Sequence, residues 1–265
     1  LGSNVSITLH DMAWHQAIAK LIEALDRPDF WLTLVRLLDR YIPVDSWVVL
    51  IFSNGRPQVL AECPGKDGGP DPLFQDYLKG LYLLDPFYLA IRETPHNGLF
   101  WLADVAPECF EHTDYYQRYF RLNVVADEVH INVQLDAQRS LSLSLGSERQ
   151  FNAEQIALLT LIQSWVAALM RQRMAFEREG LEQNAAPPLS WQSWLDATDQ
   201  QLETPLSARE LEVGRLMLSG CSNKEIARKL EISAETVKVH RKHMYSKLGI
   251  KSQSELFSLF LNAQN

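Results

Sequence analysis

The sequence predicts an α+β protein in two parts: an α/β/α sandwich on an antiparallel sheet, then a four-helix module. Three observations carry this. Between residues 206 and 256, four serines stand where helices begin, and three of them have Glu at the third position beyond: Ser207/Glu210, Ser222/Glu225 and Ser252/Glu255. Each such pair can close a capping box; the fourth serine, Ser233, is a simple N-cap. Further back, Val129–Gln134 and Ser140–Leu145 alternate apolar with polar residues, the period of paired strands. Between these regions, residues 152–179 repeat apolar residues at helical spacing on more than one side.

In chain order, residues 11–26 and 28–41 carry helical periodicity, the second opening on Pro28-Asp29. Ser46–Phe52 and Gln58–Glu62 flank Asn54-Gly55, a hairpin signal. A Gly/Pro-rich loop covers Pro64–Pro72, and short helices are expected around 72–93 and 107–121. Leu99–Leu102 reads as a short strand, and the last hairpin turns at Asp136–Arg139. In that hairpin one face is Val129, Ile131, Val133, Leu141, Leu143 and Leu145; the other is His130, Asn132, Gln134, Ser140, Ser142 and Ser144. Helices on both sheet faces would enclose a polar wall, whose groups must then be hydrogen-bonded; one solvated face is the simpler alternative. The layering is of the GAF/PAS kind. A linker follows, with Pro187-Pro188 ending any helix and Trp191, Trp194 and Leu195 beyond it. The expected division is residues 8–178 for the sandwich, 179–204 for the linker and 205–265 for the module.

Charge separates the two parts. From Leu206 to the end, ten Lys/Arg stand against six Asp/Glu, a net +4, which leaves −12 to residues 1–205 of the chain total of −8. A basic module on an acidic body suits a protein whose small part alone meets phosphate. The turn Glu231–Ser233 has helix-turn-helix spacing, so the helix after Ser233 is the candidate for a DNA major groove. At about 100° per residue, Val237, Met244 and Leu248 face inward, while Val239, Lys242 and Ser246 face outward, flanked by Lys238 and His243.

Other classes fit less well. The chain of 265 residues exceeds one helical module, so two domains are expected. Cys63, Cys109 and Cys221 form neither a CxxC pair nor a disulfide framework, which fits a cytoplasmic protein. No run approaches 18 apolar residues, so no membrane span is expected, nor does a signal-peptide pattern occur. The sequence carries no nucleophile elbow, P-loop, dinucleotide fingerprint or metal-ligand cluster, so neither an enzyme, a cofactor nor a metal is expected. Ser53-Asn54-Gly55 after the first strand lacks the acidic pair of a phosphorylated receiver.

The tail resembles the LuxR/NarL-type DNA-binding domain of bacterial transcription factors. The resemblance rests on Leu206-Ser207-x-Arg209-Glu210, Ser222-Asn223-Lys224-Glu225-Ile226-Ala227, Thr236-Val237-Lys238-Val239-His240, Lys242-His243-Met244, Lys247-Leu248-Gly249 and Lys251-Ser252. It implies that Lys238, Val239 and Lys242 meet bases and backbone, that Asn223 and Lys224 meet phosphate, and that Glu210 is structural. Ser246 joins this set from the outward face. The last helix would be a dimer contact, offering Leu256, Phe257, Leu259, Phe260 and Leu261.

A second constellation, Tyr77-x4-Tyr82-x2-Asp85-Pro86-Phe87 with Trp101, supplies aromatic rings and a carboxylate, the chemistry of a small-molecule pocket or of a packed core. Residues 30–175 resemble the autoinducer-binding domain of quorum-sensing LuxR-type receptors. The resemblance implies a ligand site at Tyr77, Tyr82, Asp85, Trp101 and Ser142, to which His130 is added from the polar wall. Asp85 is its expected polar anchor, with Arg92 two turns on as an alternative internal partner. The family pattern is broken by Leu73 where a lactone-binding Trp is expected, by a Tyr82–Asp85 spacing one residue short, and by Ala126-Asp127 in place of a Gly. An acyl-homoserine lactone is one effector this implies; a different small molecule is equally open.

The expected function is a one-component bacterial transcription regulator, in which a homodimer binds double-stranded promoter DNA and responds to a small-molecule effector. The alternative is an orphan regulator whose N-terminal domain binds a protein partner or only dimerises. Dimer contacts are expected at Trp165 on the long helix or at Leu256 and Phe260 on the last.

Overall fold

Strand pairing is set by the turn the sequence announces. Asn54 and Gly55 take positive φ of 52° and 76°, as a tight two-residue hairpin requires, and join β1 (Ser46–Ser53) to β2 (Arg56–Glu62). The structure, a computed structural model, describes residues 12–63, 72–123, 126–177 and 205–262. Three more strands complete the sheet: β3 (Gly98–Trp101), β4 (Asp127–Gln134) and β5 (Arg139–Ser147). Their order is β2-β1-β5-β4-β3, and every pairing is antiparallel. The expected linker at 179–204, with Trp191, Trp194 and Leu195, and nearly all of the expected loop Pro64–Pro72 lie outside the described residues.

One sheet face is apolar across its centre. Val49, Ile51, Val129, Ile131, Val133, Leu141, Leu143 and Leu145 are buried there beneath α1 (Met12–Glu23), α2 (Phe30–Leu38) and α7 (Ala153–Arg173). Asn152 starts α7 with a capping box closed by Gln155. By length and composition alone this helix could cross a membrane, with a mean hydropathy of 1.4 over its most apolar window, although Gln155, Thr160, Gln163 and Ser164 interrupt its apolar residues, so no unbroken apolar run of 18 occurs in it. Here its Leu159, Ile162, Val166 and Met170 pack on the sheet. Its other stripe is divided: Leu161 is 74% exposed, whereas Trp165 is half-buried and packs edge-on to Trp14 of α1 at 5.8 Å.

The second sheet face is also covered. Over it lie α3 (Pro72–Lys79), a 3-10 turn Leu81–Leu84, α4 (Pro86–Glu93), α5 (Leu102–Val105) and an irregular stretch with a 3-10 turn at Phe110–His112 and a π-helical turn at Tyr116–Phe120, followed by α6 (Arg121–Asn123). Asn132, Ser142, Ser144 and His130 are therefore buried, which rules out a solvated polar face.

The C-terminal module has four helices: α8 (Ala208–Leu218), α9 (Asn223–Leu230), α10 (Ala234–Leu248) and α11 (Gln253–Asn262). The boxes at Ser207/Glu210 and Ser222/Glu225 close in both directions. At the third, Ser252 accepts from Glu255 N, but the Glu255 carboxylate reaches Lys251 N instead. Glu210 accepts from Ser207 N at 2.7 Å and from Lys247 Nζ at 2.8 Å. Burial alone would raise its pKa, but these partners outweigh burial and hold it below the usual value. Its role is structural, as the resemblance implied.

Candidate functional site

Helix α10 presents the expected outward face. Val237 and Met244 are buried at 0% and 1% exposure, which fixes the helix's rotation about its axis. Lys238, Val239, Lys242, His243 and Ser246 are exposed. Val239 is 48% exposed, an apolar side chain left in water beside two lysines. Lys238 Nζ lies 2.7 Å from Glu235, an exposed pair whose attraction is small enough for phosphate to displace. In α9, Lys224 is exposed and Asn223 half-buried, both in the first turn. All six expected DNA-facing residues are thus brought to α10 or to the start of α9.

The module docks on the sandwich through residues 108–120. Gly220, at φ +93°, approaches so closely that a Cβ there would lie 2.9 Å from Phe110 Cα. That approach lets Cys109 N donate to Gly220 O at 2.9 Å. Glu93 pairs with Lys229 at 3.0 Å, and the Arg118 guanidinium lies over the Phe257 ring. Leu256, Phe257 and Phe260 are 1% exposed or less within the single chain. The last helix therefore does not present Leu256 and Phe260 outward, a correction to their expected dimer contact, while Leu259 and Leu261 remain half-buried.

The polar sheet face holds a chain of buried hydrogen bonds. Glu128 Oε1 lies 2.8 Å from His130 Nε2, and Ser142 Oγ lies 3.0 Å from His130 Nδ1. Ser144 donates to the same Glu128 oxygen. The imidazole is clamped from above by Phe87, stacked at 3.8 Å and 4°. Asp85 stands at the start of α4, accepting from Phe87 N at 2.8 Å and from Tyr77 Oη at 2.7 Å. Burial raises its pKa to about 6; the Glu128 charge adds to this, while His130, Tyr77 and Phe87 N oppose it. Arg92 is not its partner: Arg92 donates to Tyr88 Oη at 3.0 Å.

Between this face and the covering helices is a cavity of about 30 Å³, lined by Val48, Leu50, Phe74, Tyr77, Asp85, Tyr115, Tyr119, Glu128, His130 and Ser144. Of the six residues expected at a ligand site, Tyr77, Asp85 and His130 line it. Ser142 supports His130 from outside the wall. Tyr82 is fully buried behind Tyr77, its hydroxyl unpartnered among the described residues. Trp101 is on the wrong face and is corrected: it pairs across from Val129, on the α7 side, and its Nε1 donates to Asp127 at 3.0 and 3.1 Å. Alternation explains this, since Phe100, its neighbour, is the β3 residue opposite His130. Glu128, Ser144, Tyr115, Tyr119 and Phe74 were missed. The same alternation marks Glu128 and Ser144, each two residues from a residue that was named. Tyr115 and Tyr119 depend on a π-helical turn that no spacing rule signals.

Comparison with known proteins agrees with this architecture. The family model for bacterial regulatory proteins of the luxR family matches residues 204–260. A putative HTH-type transcriptional regulator encoded in the exeN 3′ region of Aeromonas salmonicida is 31% identical over 185 residues, 67% of this chain and 93% of that protein. The chain belongs to the LuxR family of transcription regulators. The oxygen regulatory protein NreC of Staphylococcus aureus (strain JH9) is 53% identical over 51 residues, which span 24% of that protein. The crystal structure of the VqsR LBD domain from Pseudomonas aeruginosa is 51% identical and superposes with a TM-score of 0.59, covering 63% of this chain and 98% of that one. A LuxR-family regulator thus carries both parts expected from its sequence, a DNA-binding module and a sandwich shared with that domain.

Proposed function

We propose that this LuxR-family regulator is a one-component switch. As a homodimer in the cytoplasm it binds promoter DNA through α10, and residues 8–178 sense a small molecule, joined by the linker 179–204 to the module at 205–265. The observation that carries the reading is α10 itself, anchored by Val237 and Met244 while Lys238, Val239, Lys242 and Ser246 point outward. In this assignment Lys242 meets phosphate and Lys238 reaches a base edge, with Asn223 and Lys224 holding backbone at the start of α9. The exposed Leu161 of α7 supports the dimer, since paired half-sites on DNA match a twofold protein.

The cavity favours a second reading at one point. About 30 Å³ is far below the 300–1,000 Å³ of drug-sized pockets, so an acyl-homoserine lactone would need the covering helices to part. An orphan regulator whose sandwich binds a protein or only dimerises would need no larger space.

The test is binding to a duplex selected from a random-sequence library. Lys242→Ala should weaken affinity and flatten the salt slope by about 0.9 for one lost phosphate contact. Lys238→Ala should also relax base preference. Unchanged affinity and slope in the double variant would remove α10 from the interface. For the dimer, Leu161→Glu should shift the sedimenting species from dimer to monomer, since a charge buried in an apolar contact is costly; a wild type already monomeric at micromolar concentration, with and without DNA, would refute it.

A further inference from the structure

The cavity has an unusual balance of charge. Two carboxylates, Asp85 and Glu128, line it together with one imidazole, and among the described residues no Lys or Arg does. Even a doubly protonated His130, which bonds Glu128 through Nε2, balances one of the two. Glu128 meets His130 and Ser144 through Oε1 alone, which leaves Oε2 without a hydrogen bond among the described residues.

The other walls are aromatic. Tyr77 stacks on Phe74 and on Tyr119, both at 5.5 Å, and Tyr115 packs against Tyr119 at 5.4 Å. Ring faces attract cations, and the attraction grows when water is excluded. Tyr115 is 2% exposed, yet its hydroxyl makes no hydrogen bond among the described residues. Nearby on the same sheet face Asn132 Oδ1 is also buried without a partner, as is Tyr82 Oη behind Tyr77.

We propose that the effector carries a protonated primary amine, seated with its N–H groups toward Glu128 Oε2, Asp85 and Tyr115 Oη and its charge between the tyrosine rings. The inference rests on the reading of this cavity as an effector site. Three acceptors match the three donors of an ammonium group. The closed cavity has room for a head group of this size, being larger than the space one water occupies, and the attached chain would have to part the Phe74 and Tyr119 walls.

The test uses the full chain with n-alkylammonium chlorides, methyl to hexyl, against the matching n-alkanols at ionic strength fixed with sodium chloride. Thermal melting and calorimetry read binding, since a ligand selective for the folded state raises stability by mass action. At least one ammonium should bind about tenfold or more tightly than its alcohol, the discrimination expected of charge-assisted hydrogen bonds. Tyr115→Phe, which removes a hydroxyl with no hydrogen-bond partner among the described residues, should keep the fold and lower ammonium affinity several-fold while leaving alcohol affinity alone. Glu128→Gln should do so more strongly. Equal binding of ammonium and alcohol, or unchanged ammonium affinity in Tyr115→Phe, overturns the proposal. An N-acyl homoserine lactone that binds while no ammonium does would keep the effector-site reading and defeat this one. No binding by any of the three probes would defeat both.

Discussion

The two faces of the sheet are made by the same strands and are equally hidden from water, yet they do different work. Toward α1, α2 and α7, β4 and β5 present Val129, Ile131, Val133, Leu141, Leu143 and Leu145, all at 0% exposure. Toward α3, α4 and the 110–120 stretch, the intervening residues are Glu128, His130, Asn132, Ser142 and Ser144, buried at 8% or less. The dry face can be held by dispersion and the hydrophobic effect alone. The polar face holds together only because its groups bond one another, and where those bonds stop a cavity begins. The difference separates a face that fixes the fold from a face that can answer to a ligand.

The sharpest test of that separation is truncation on the dry side. Leu143→Ala should cost about 2–5 kcal/mol, the range for a buried leucine whose surroundings cannot collapse, read as a fall in the urea midpoint at unchanged slope. A loss below about 1 kcal/mol would mean that the dry face is no tighter than its polar counterpart.

The sequence made one half of this contrast easy to see. Alternation over Val129–Gln134 and Ser140–Leu145 is local and survives in the fold residue for residue, as do the serine caps of the module, because each capping bond spans three residues. The cavity was harder. Tyr77 and Asp85 are eight residues apart and meet through a hydrogen bond, but Glu128 meets Ser144 across the hairpin, and Tyr115 and Tyr119 arrive from a π-helical turn. Trp101 failed for a different reason. A one-residue choice along β3 decides the face, and the Phe100-Trp101 pair offers an aromatic ring on either side. The docking of the module was not legible at all, since Gly220 and Phe110 lie more than a hundred residues apart in sequence.

The second test is electrostatic and belongs to the polar face. Asp85 titrates in the folded protein near 6, raised by burial from its ordinary 3.8. A raised carboxyl favours the folded state fully below its unfolded pKa, and that contribution is lost as pH climbs through the folded value. From this group, stability should therefore fall between about pH 4 and pH 6 and then level off. Asn at this position can still accept from Phe87 N and face Tyr77, but does not ionise. The difference between wild type and Asp85→Asn should shift by on the order of 2–3 kcal/mol in favour of the variant across that window. His130, Glu128 and the Tyr77 and Tyr115 hydroxyls face this carboxyl and remain in both proteins, so the difference reads Asp85 together with its charge coupling to Glu128 and His130. A pH-independent difference would mean that the carboxyl is solvated, and the polar face would then be open rather than enclosed.

The smallest effect is expected at Ser142, where the two faces can be compared one residue apart. Ser142 is as buried as its neighbour Leu143, at 1% against 0%. Its hydroxyl bonds His130 Nδ1 and lines no part of the cavity directly. Ser142→Ala removes one neutral hydrogen bond and almost no volume, so it should cost only about 1 kcal/mol in stability. Its consequence lies in position instead. Without Ser142, the imidazole keeps its Glu128 bond and its Phe87 stack but loses the contact that fixes Nδ1. The ring can then turn, and with it the Glu128 oxygen that faces the cavity. Ligand affinity should therefore fall by more than stability does, while Leu143→Ala should show the reverse order. If Ser142→Ala lowered stability as much as Leu143→Ala and left binding untouched, the polar ladder would be a second core, and the division of labour between the faces would not hold.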